Sequence, residues 1–226
     1  MKAWTWIFCL IAFPSFNVLA QTLKPFSMTH IEYPYIEDYI ELFVEIYNEM
    51  GFETTLIPTP STRGLLLLDE GTVDADVLRL SYTAKNYSNV IVVKPELNYA
   101  NLTLLCIKNV PCNKGVLTNT RITVLAPDNA ISLLAEHEFK ARQANTHSLP
   151  NIPDMLKANR YKYALFLLDD LMERQFKTDF QSVKIKSMAI YHVVHKKHIA
   201  LIPQIEEKIR TKLPEFLRKR GMRTIL

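Results

Sequence analysis

The 226-residue chain carries 27 Lys and Arg against 23 Asp and Glu, a formal net charge of +4, and 48% of its residues are hydrophobic. This balance is typical of a globular protein and argues against a disordered chain. The excess of positive charge is too small to indicate nucleic-acid binding. With only five Gly, the chain has no phosphate-cradling loop, so we expect neither a nucleic-acid partner nor a cofactor.

The first twenty residues combine an early Lys, an apolar core of about ten residues and a small-residue end at Ala20. This pattern predicts a secretory signal peptide over residues 1–20, cleaved near Ala20. An uncleaved membrane anchor is the alternative, but a spanning helix needs about 20 mostly apolar residues. We therefore expect Sec export and a periplasmic mature chain.

The next segment alternates between strand and helix patterns. Hydrophobic periodicity predicts strands at 23–28, 52–57, 75–80 and 90–93, and helices at 38–50 and 63–70. Gly51 and Gly71 are placed to end the two helices, and Ser61 is placed to cap the second. The order is therefore β-α-β-α-β.

The alternation restarts after residue 120. It predicts strands at 121–126, 143–147, 161–167, 183–186 and 191–194, and helices at 130–141, 152–159, 169–176 and 198–220. Pro203 and Pro214 are expected to tighten or kink the last helix. The whole pattern predicts an α/β fold with mainly parallel sheets flanked by helices.

Two extended segments separate these α/β units, at 94–106 and 187–195. If the chain crosses twice, residues 21–95 with 196–226 form one lobe and residues 96–195 form the other. Such an arrangement is a two-lobed clamshell, and the carboxyl ends of its strands would face a shared cleft.

Cys106 and Cys112 are the cysteines of the expected mature chain. An even pair in an exported protein indicates a disulfide bond. A metal site is the alternative, but no His or Cys cluster lies near them in the sequence. We expect a disulfide that pins a loop and contributes about 2 kcal/mol.

A resemblance appears in Thr59–Tyr82, which reads TPSTRGLLLLDEGTVDADVLRLSY. The turn Gly71–Asp76 resembles the helix-Gly-x-x-Asp-Ala-Asp turn of the bacterial extracellular solute-binding proteins of family 3, the amino-acid-type periplasmic binding proteins. Tyr33–Tyr35 resembles that family's Pro-Pro-aromatic loop, and Leu213–Gly221 resembles its final helix. The resemblance covers the layout of nearly the whole mature chain, with its motif matches confined to residues 33–80.

The resemblance implies a type II periplasmic-binding fold and capture of a small polar solute by hinge closure. It also implies a membrane partner, either an ABC-type permease or a sensor kinase, and a monomeric protein that is not an enzyme. Two functions of other classes stay open: a secreted α/β enzyme, and a binding module that acts only through protein contacts.

The sequence departs from the family at both of its carboxylate-gripping positions. Asn86 stands where the family has an Arg after the third strand. The turn around Asp128 and Asn129 stands where the family has a Gly-Thr or Gly-Ser at a helix start. An Asp at a helix start is a good cap but repels an anion. A standard α-amino acid is therefore a less secure expectation.

Other residues could replace those anchors. Arg79 ends a predicted apolar strand at the cleft edge, where its guanidinium could grip a carboxylate or phosphate; pairing with Asp74 or Asp76 is the alternative. One of Asp169 and Asp170 is expected to contact a ligand amine while the other caps a helix. Tyrosines could wall the pocket. The candidate ligand-binding residues are Arg79, Tyr33, Tyr82, Tyr35, Asp169, Asn129 and Arg63.

No catalytic motif is present in the sequence. His192, His195 and His198 are close in sequence, which suggests a metal site. Across a strand-to-helix junction they would not share one face, so we assign them to structural or solvent-exposed positions and expect no metal.

Overall fold

The computed structural model describes residues 23–32, 36–146 and 149–222. The predicted signal peptide and the candidates Tyr33 and Tyr35 lie outside the described residues. None of the described helices combines the length and the apolar character that a bilayer crossing needs.

The first third of the chain folds as the alternation predicts. Its elements are β1 (Lys24–His30), α1 (Ile36–Glu49), β2 (Phe52–Pro58), α2 (Ser61–Asp69), β3 (Ala75–Leu80) and α3 (Ser81–Ala84). Helix α1 buries Tyr39, Phe43 and Ile46, which recur at the three- and four-residue spacing of one helix face. Gly51 and Gly71 follow the two longer helices with φ of 84° and 75°, a conformation that glycine adopts without steric cost.

The rest of the chain contains two long strands that enclose a second set of elements. The elements are β4 (Val90–Ile107), α4 (Gly115–Thr118), β5 (Thr123–Leu125), α5 (Asp128–Ile131), β6 (Arg142–Ala144), α6 (Ile152–Lys157), β7 (Tyr163–Leu168), α7 (Asp170–Phe176), β8 (Phe180–His195) and α8 (Ile202–Lys219). Short 3-10 helices lie at Glu136–Glu138, Leu149–Asn151 and Lys196–Leu201.

The eight strands that the structure describes form one sheet, in the order β2-β1-β3-β8-β4-β7-β5-β6. Strand β1 runs parallel to β2 and β3, and β5 runs parallel to β6 and β7. The two crossing segments are the long strands β4 and β8, which pair antiparallel with each other. The fold is therefore mixed α/β with two lobes, each with parallel strands, joined by two crossing strands.

Separate hydrophobic clusters lie on the two sides of the crossing strands. We refer to β1 to β3, α1 to α3 and the final helix α8 as the first lobe, and the cluster there includes Phe26, Phe43 and Ile209. The second lobe contains the elements between β4 and β8, and its strands are covered on both faces. Leu104 and Leu105, neighbours on β4, belong to two different core clusters because successive strand residues point to opposite faces.

The predicted helix over 130–141 is wrong. Helix α5 ends at Ile131, and only a 3-10 turn follows at Glu136–Glu138. The backbone N–H groups of Lys140 and Ala141 both donate to the carbonyl oxygen of Leu117. These bonds to α4 replace the hydrogen bonds that a continuous helix would make within itself.

Two smaller predictions also need correction. Ser61 is the first residue of α2 rather than its cap, because Pro60 holds the N-cap position without a side-chain hydrogen bond. The separately predicted strands 183–186 and 191–194 are parts of the single strand β8, and 90–93 is the start of β4.

The basic residues of α8 pair partly with acidic residues on its neighbour α1 and partly with glutamates of α8 itself. The Lys212 ammonium lies 2.6 Å from Glu45 and 2.7 Å from Glu49, and Lys208 lies 2.6 Å from Glu49. These exposed pairs link the basic face of α8 to α1. Each pair contributes only about 0–1 kcal/mol to stability.

The predicted disulfide is confirmed. Cys106, at the end of β4, is bonded to Cys112 across a Cα–Cα distance of 5.9 Å. Between them the chain turns through Asn109, whose φ is 68°. The bond closes a short loop that follows the last pairs of the β4–β8 ladder, Cys106 with Gln181 and Ile107 with Phe180.

We expect the double variant Cys106→Ala/Cys112→Ala to lose about 2 kcal/mol of unfolding free energy, because a short closed loop removes little unfolded-state entropy. Urea denaturation, with and without a thiol reductant, measures the loss. The reductant should destabilise the wild type by a similar amount and leave the double variant unchanged. A double variant that fails to fold would contradict this peripheral role.

His192 is buried at the centre of the first lobe. Its Nε2 atom lies 2.8 Å from the Tyr47 hydroxyl and its Nδ1 atom 3.2 Å from the Val77 carbonyl oxygen. Its ring also stacks on Phe43 at a centroid distance of 4.0 Å. A neutral ring that donates from Nδ1 and accepts at Nε2 satisfies both contacts. Burial lowers the pKa of His192 to about 4.

This burial predicts a pH-dependent stability. Below the ordinary pKa of about 6.5, the unfolded chain takes up a proton at His192 that the folded protein excludes until its pKa of about 4. Stability from this group is therefore present above pH 6.5 and is lost as the pH falls. We expect about 2 kcal/mol less unfolding free energy at pH 5 than at pH 7.

Chemical denaturation at the two pH values checks this expectation. His192→Gln, which keeps a donor and an acceptor, should remove most of the difference, whereas the exposed control His137→Gln should retain it. An unchanged pH dependence in His192→Gln would show that other groups cause it.

Candidate functional site

A cavity of about 80 Å³ lies between the two lobes. It sits near the carboxyl ends of the parallel strands β1, β3, β5 and β7, the place where ligands bind in open α/β sheets. Its walls come from both lobes and from both crossing strands. The lining residues are Ile31, Leu78, Arg79, Leu80 and Thr83 from the first lobe, Pro127, Ala130, Leu149, Phe166 and Leu167 from the second, and Ala100 and Ile190 from the crossing strands.

A buried ion pair forms part of the cavity wall. The Arg79 Nη2 atom donates to Asp76 Oδ2, which also accepts a 2.6 Å hydrogen bond from the Thr29 hydroxyl. Arg79 is 4% exposed and Asp76 is fully buried. Burial raises the pKa of the Asp76 carboxyl, while the Arg79 guanidinium and the Thr29 hydroxyl limit the rise. The pair ties the start of β3 to its end and to β1.

Gly64 on α2 packs directly over this pair. A Cβ atom built at Gly64 would lie 2.5 Å from Arg79 Nη2, 3.1 Å from Asp76 Oδ2 and 3.4 Å from Thr29 Oγ1. The helix can approach the ion pair this closely only because the residue there has no side chain. The glycine in the Thr-Arg-Gly-Leu segment is thus a packing requirement of the Asp76–Arg79 pair.

Asp74, two residues before Asp76, has a different surrounding. It accepts hydrogen bonds from the Ser27 backbone at 2.7 Å, from His198 at 2.7 Å, and lies 2.8 Å from the Lys197 ammonium. Burial alone would raise the pKa of Asp74, but these partners together lower it to about 2. Asp74 therefore joins β1, the turn before β3 and the segment after β8, and lies away from the cavity lining.

Among the described candidates, only Arg79 is part of the cavity wall. Tyr82 on α3 is 55% exposed, one residue before the lining residue Thr83, and the Lys186 ammonium lies 5.9 Å from its ring centroid. Arg63 is exposed on α2. Asn129 belongs to α5, between two lining residues, and its side chain lies outside the described residues, as do Tyr33 and Tyr35.

Asp169 acts as a helix cap. Its Oδ1 atom accepts a 2.8 Å hydrogen bond from the Met172 backbone N–H at the start of α7, and burial raises the pKa of its carboxyl. Its neighbour Asp170 accepts from the Asn101 amide at 3.2 Å. Asp169 is thus the capping member of the pair, and neither Asp is among the described residues that line the cavity.

The three histidines have separate environments. His192 is buried against Tyr47, His198 contacts Asp74, and His195 packs against Gly71. Within residues 23–32, 36–146 and 149–222, no group of three or more His, Cys, Asp or Glu is arranged to hold a metal ion.

The apolar walls of the cavity are not among the residues that the sequence motifs predicted. Phe166 and Leu167 lie on the apolar strand β7, and Ala130 lies at the end of α5. In the sequence, only their position at the carboxyl ends of predicted parallel strands could have indicated them, because such residues meet at one edge of the sheet. Thr83 is the one hydroxyl-bearing side chain among the described lining residues, and it donates to the Leu80 carbonyl at 2.8 Å. The arrangement is suited to binding.

No protein-family model matches the sequence, and no curated protein matches it. Solved structures do share its fold. An ancestral amino-acid-binding protein, a precursor of cyclohexadienyl dehydratase, is 13% identical with a TM-score of 0.70, over 86% of this chain and 94% of that one.

Two further structures show the same likeness. The GluR0 ligand-binding core from Nostoc punctiforme, in complex with L-glutamate, is 15% identical with a TM-score of 0.69, over 87% of this chain and 94% of that one. The arginine-bound form of a truncated ArgBP from T. maritima is 16% identical with a TM-score of 0.63, over 83% and 95%. The fold implied by the sequence resemblance is confirmed.

We expect strong coupling between Asp76 and Arg79. Asp76→Asn or Arg79→Met alone should each cost about 3–5 kcal/mol, since either change leaves one partner charged and buried. The double variant should cost clearly less than the sum, as urea denaturation of the four proteins would measure. The exposed control Arg63→Ala should stay within about 0.5 kcal/mol of the wild type. Additive single-variant losses would contradict the pairing.

Proposed function

We propose that this chain is an exported solute-binding protein that closes its two lobes around a small solute in the inter-lobe cavity. The observation that carries the proposal is the cavity itself, because both lobes and both crossing strands contribute to its walls. A solute held there would contact both lobes at once and would favour the closed arrangement. Solved binding proteins with the same fold support this interpretation.

Closure requires the crossing strands to bend. We take residues 21–95 with 196–226 as one lobe and 96–195 as the other, with crossings at 94–106 and 187–195. The pairing of β4 with β8 supports this division, since its register shifts between Val93 and Asn98, beside the proposed boundary. A local irregularity in a ladder is a place where a strand can bend.

The proposed location rests on the predicted signal peptide, and the proposed partner and monomeric state rest on the family resemblance. A signal peptide cleaved near Ala20 would deliver the protein to the periplasm. There the closed form would present both lobes to a membrane partner, either an ABC-type permease or a sensor kinase. Arg79 is the cavity residue that we expect to orient the solute, with Tyr82 at the rim.

A thermal-shift screen of the purified protein against amino acids, amines, short carboxylates and short alcohols tests the proposal. We expect at least one compound to raise the melting temperature, by about 5–10 °C at a hundredfold excess over its dissociation constant. Small-angle scattering should show compaction with the same compound.

Two threonine variants give matched controls. Thr83→Phe places a larger side chain at the half-buried cavity lining and should abolish the shift, whereas Thr62→Phe, at an exposed site on α2, should retain it. Circular dichroism verifies that both variants fold. Absence of any stabilising compound, or a shift that survives in Thr83→Phe, would overturn the proposal.

A further inference from the structure

We infer that the solute taken by the inter-lobe cavity is a compact, branched apolar molecule with one polar end and no cationic group. This inference rests on the proposed function and adds the chemical class of the ligand. The inferred ligand class differs from the arginine and the L-glutamate that are bound in two solved structures of the same fold.

The cavity walls are overwhelmingly apolar. Ten of the twelve described lining residues are aliphatic, aromatic or proline, and only Arg79 and Thr83 carry polar side chains. Both polar residues come from the end of β3 and the start of α3, so the polar groups lie on one side. A solute that fits has its apolar body against the second lobe and its polar end toward the first.

The charge in the wall is already balanced. Arg79 is ion-paired with Asp76 inside the first lobe, and both groups are almost completely buried. The pair adds no net charge to the cavity, so charge attraction contributes little to selecting a solute. Contact with the apolar walls then decides affinity, at about fourfold for each buried methylene.

An ammonium group finds no counterpart in the described lining. Asp76 is engaged by Arg79 and Thr29, and Asp169 is committed to capping α7. Among the lining residues that the structure describes, a cation would lose its hydration without gaining a carboxylate, which is strongly unfavourable. A zwitterionic or basic amino acid is therefore a poor ligand for these walls.

The size of the cavity in this structure suits a solute whose apolar part is small. Its volume of about 80 Å³ lies between the roughly 10–15 Å³ that one water needs and the roughly 150 Å³ of an apolar cavity that binds benzene. A branched group of a few carbons matches this range.

Three probes with one carbon skeleton test the inference by isothermal titration calorimetry on the purified protein. 3-Methylbutanoate and 3-methylbutan-1-ol carry the branched body with one polar end, and L-valine adds an ammonium group to 3-methylbutanoate. We expect at least one of the first two to bind tenfold or more tightly than L-valine, and L-arginine not to bind.

The outcomes separate the two proposals. Binding of L-valine or L-arginine as tight as that of both deaminated probes would overturn the ligand class and leave the proposed function standing. If only an amine or an amino acid of the thermal-shift screen stabilises the protein, the ligand class is likewise overturned and the proposed function stands. If no compound binds at all, both proposals fail.

A pair of β8 variants locates the binding. Ile190→Ala removes part of the cavity wall and so enlarges the cavity. Val194→Ala is the control, since it removes side-chain volume from the same strand but outside the described lining. With Ile190→Ala, 4-methylpentanoate should gain about fourfold in affinity relative to 3-methylbutanoate, the effect of one extra buried methylene. Val194→Ala should leave that ratio unchanged. Equal ratios in the two variants would overturn the assignment to this cavity.

Discussion

The antiparallel pairing of β4 with β8 is the constraint on which the lobes, the cavity and the proposed hinge all depend. The pairing runs from Val90 opposite His195 to Ile107 opposite Phe180. Each lobe attaches to one side of this ladder, since β3 pairs with β8 and β7 pairs with β4. The carboxyl ends of the parallel strands in both lobes therefore converge beside the ladder, and the cavity forms where they meet.

The sequence predicts most of the elements because their signals are local. Gly51 and Gly71 end helices through their positive φ, and Ala75–Leu80 forms the strand that its apolar run indicates. The failures involve distant partners. The helix predicted over 130–141 is replaced by hydrogen bonds to Leu117, which no periodicity can reveal. Likewise, only the ladder shows that β8 is one strand, because its hydrogen bonds continue where the hydrophobic pattern lapses.

The site is less predictable for a related reason. Arg79 could be found because a charged residue at the end of an apolar strand is conspicuous. An apolar residue such as Leu167 carries no such signal, since a cavity wall and a packed core use the same side chains. Asp169 shows a different ambiguity, because a carboxylate at a strand-to-helix junction suits both a ligand contact and a helix cap. Its hydrogen bond from Met172 identifies it as the cap of the pair Asp169 and Asp170.

Asp74 and Asp76 show how the Asp-Ala-Asp turn determines the character of the cavity. Partners from β1 and from the segment after β8 lower the pKa of Asp74 to about 2, against the effect of its burial. Asp76 lies deeper, where burial raises its pKa and Arg79 supplies the compensating charge. Because Arg79 is held by Asp76 and closely covered by Gly64, its charge is balanced within the first lobe. The turn thus places in the wall an arginine whose charge is already balanced, and under the proposed function selectivity would depend on the shape and apolar character of the other described walls.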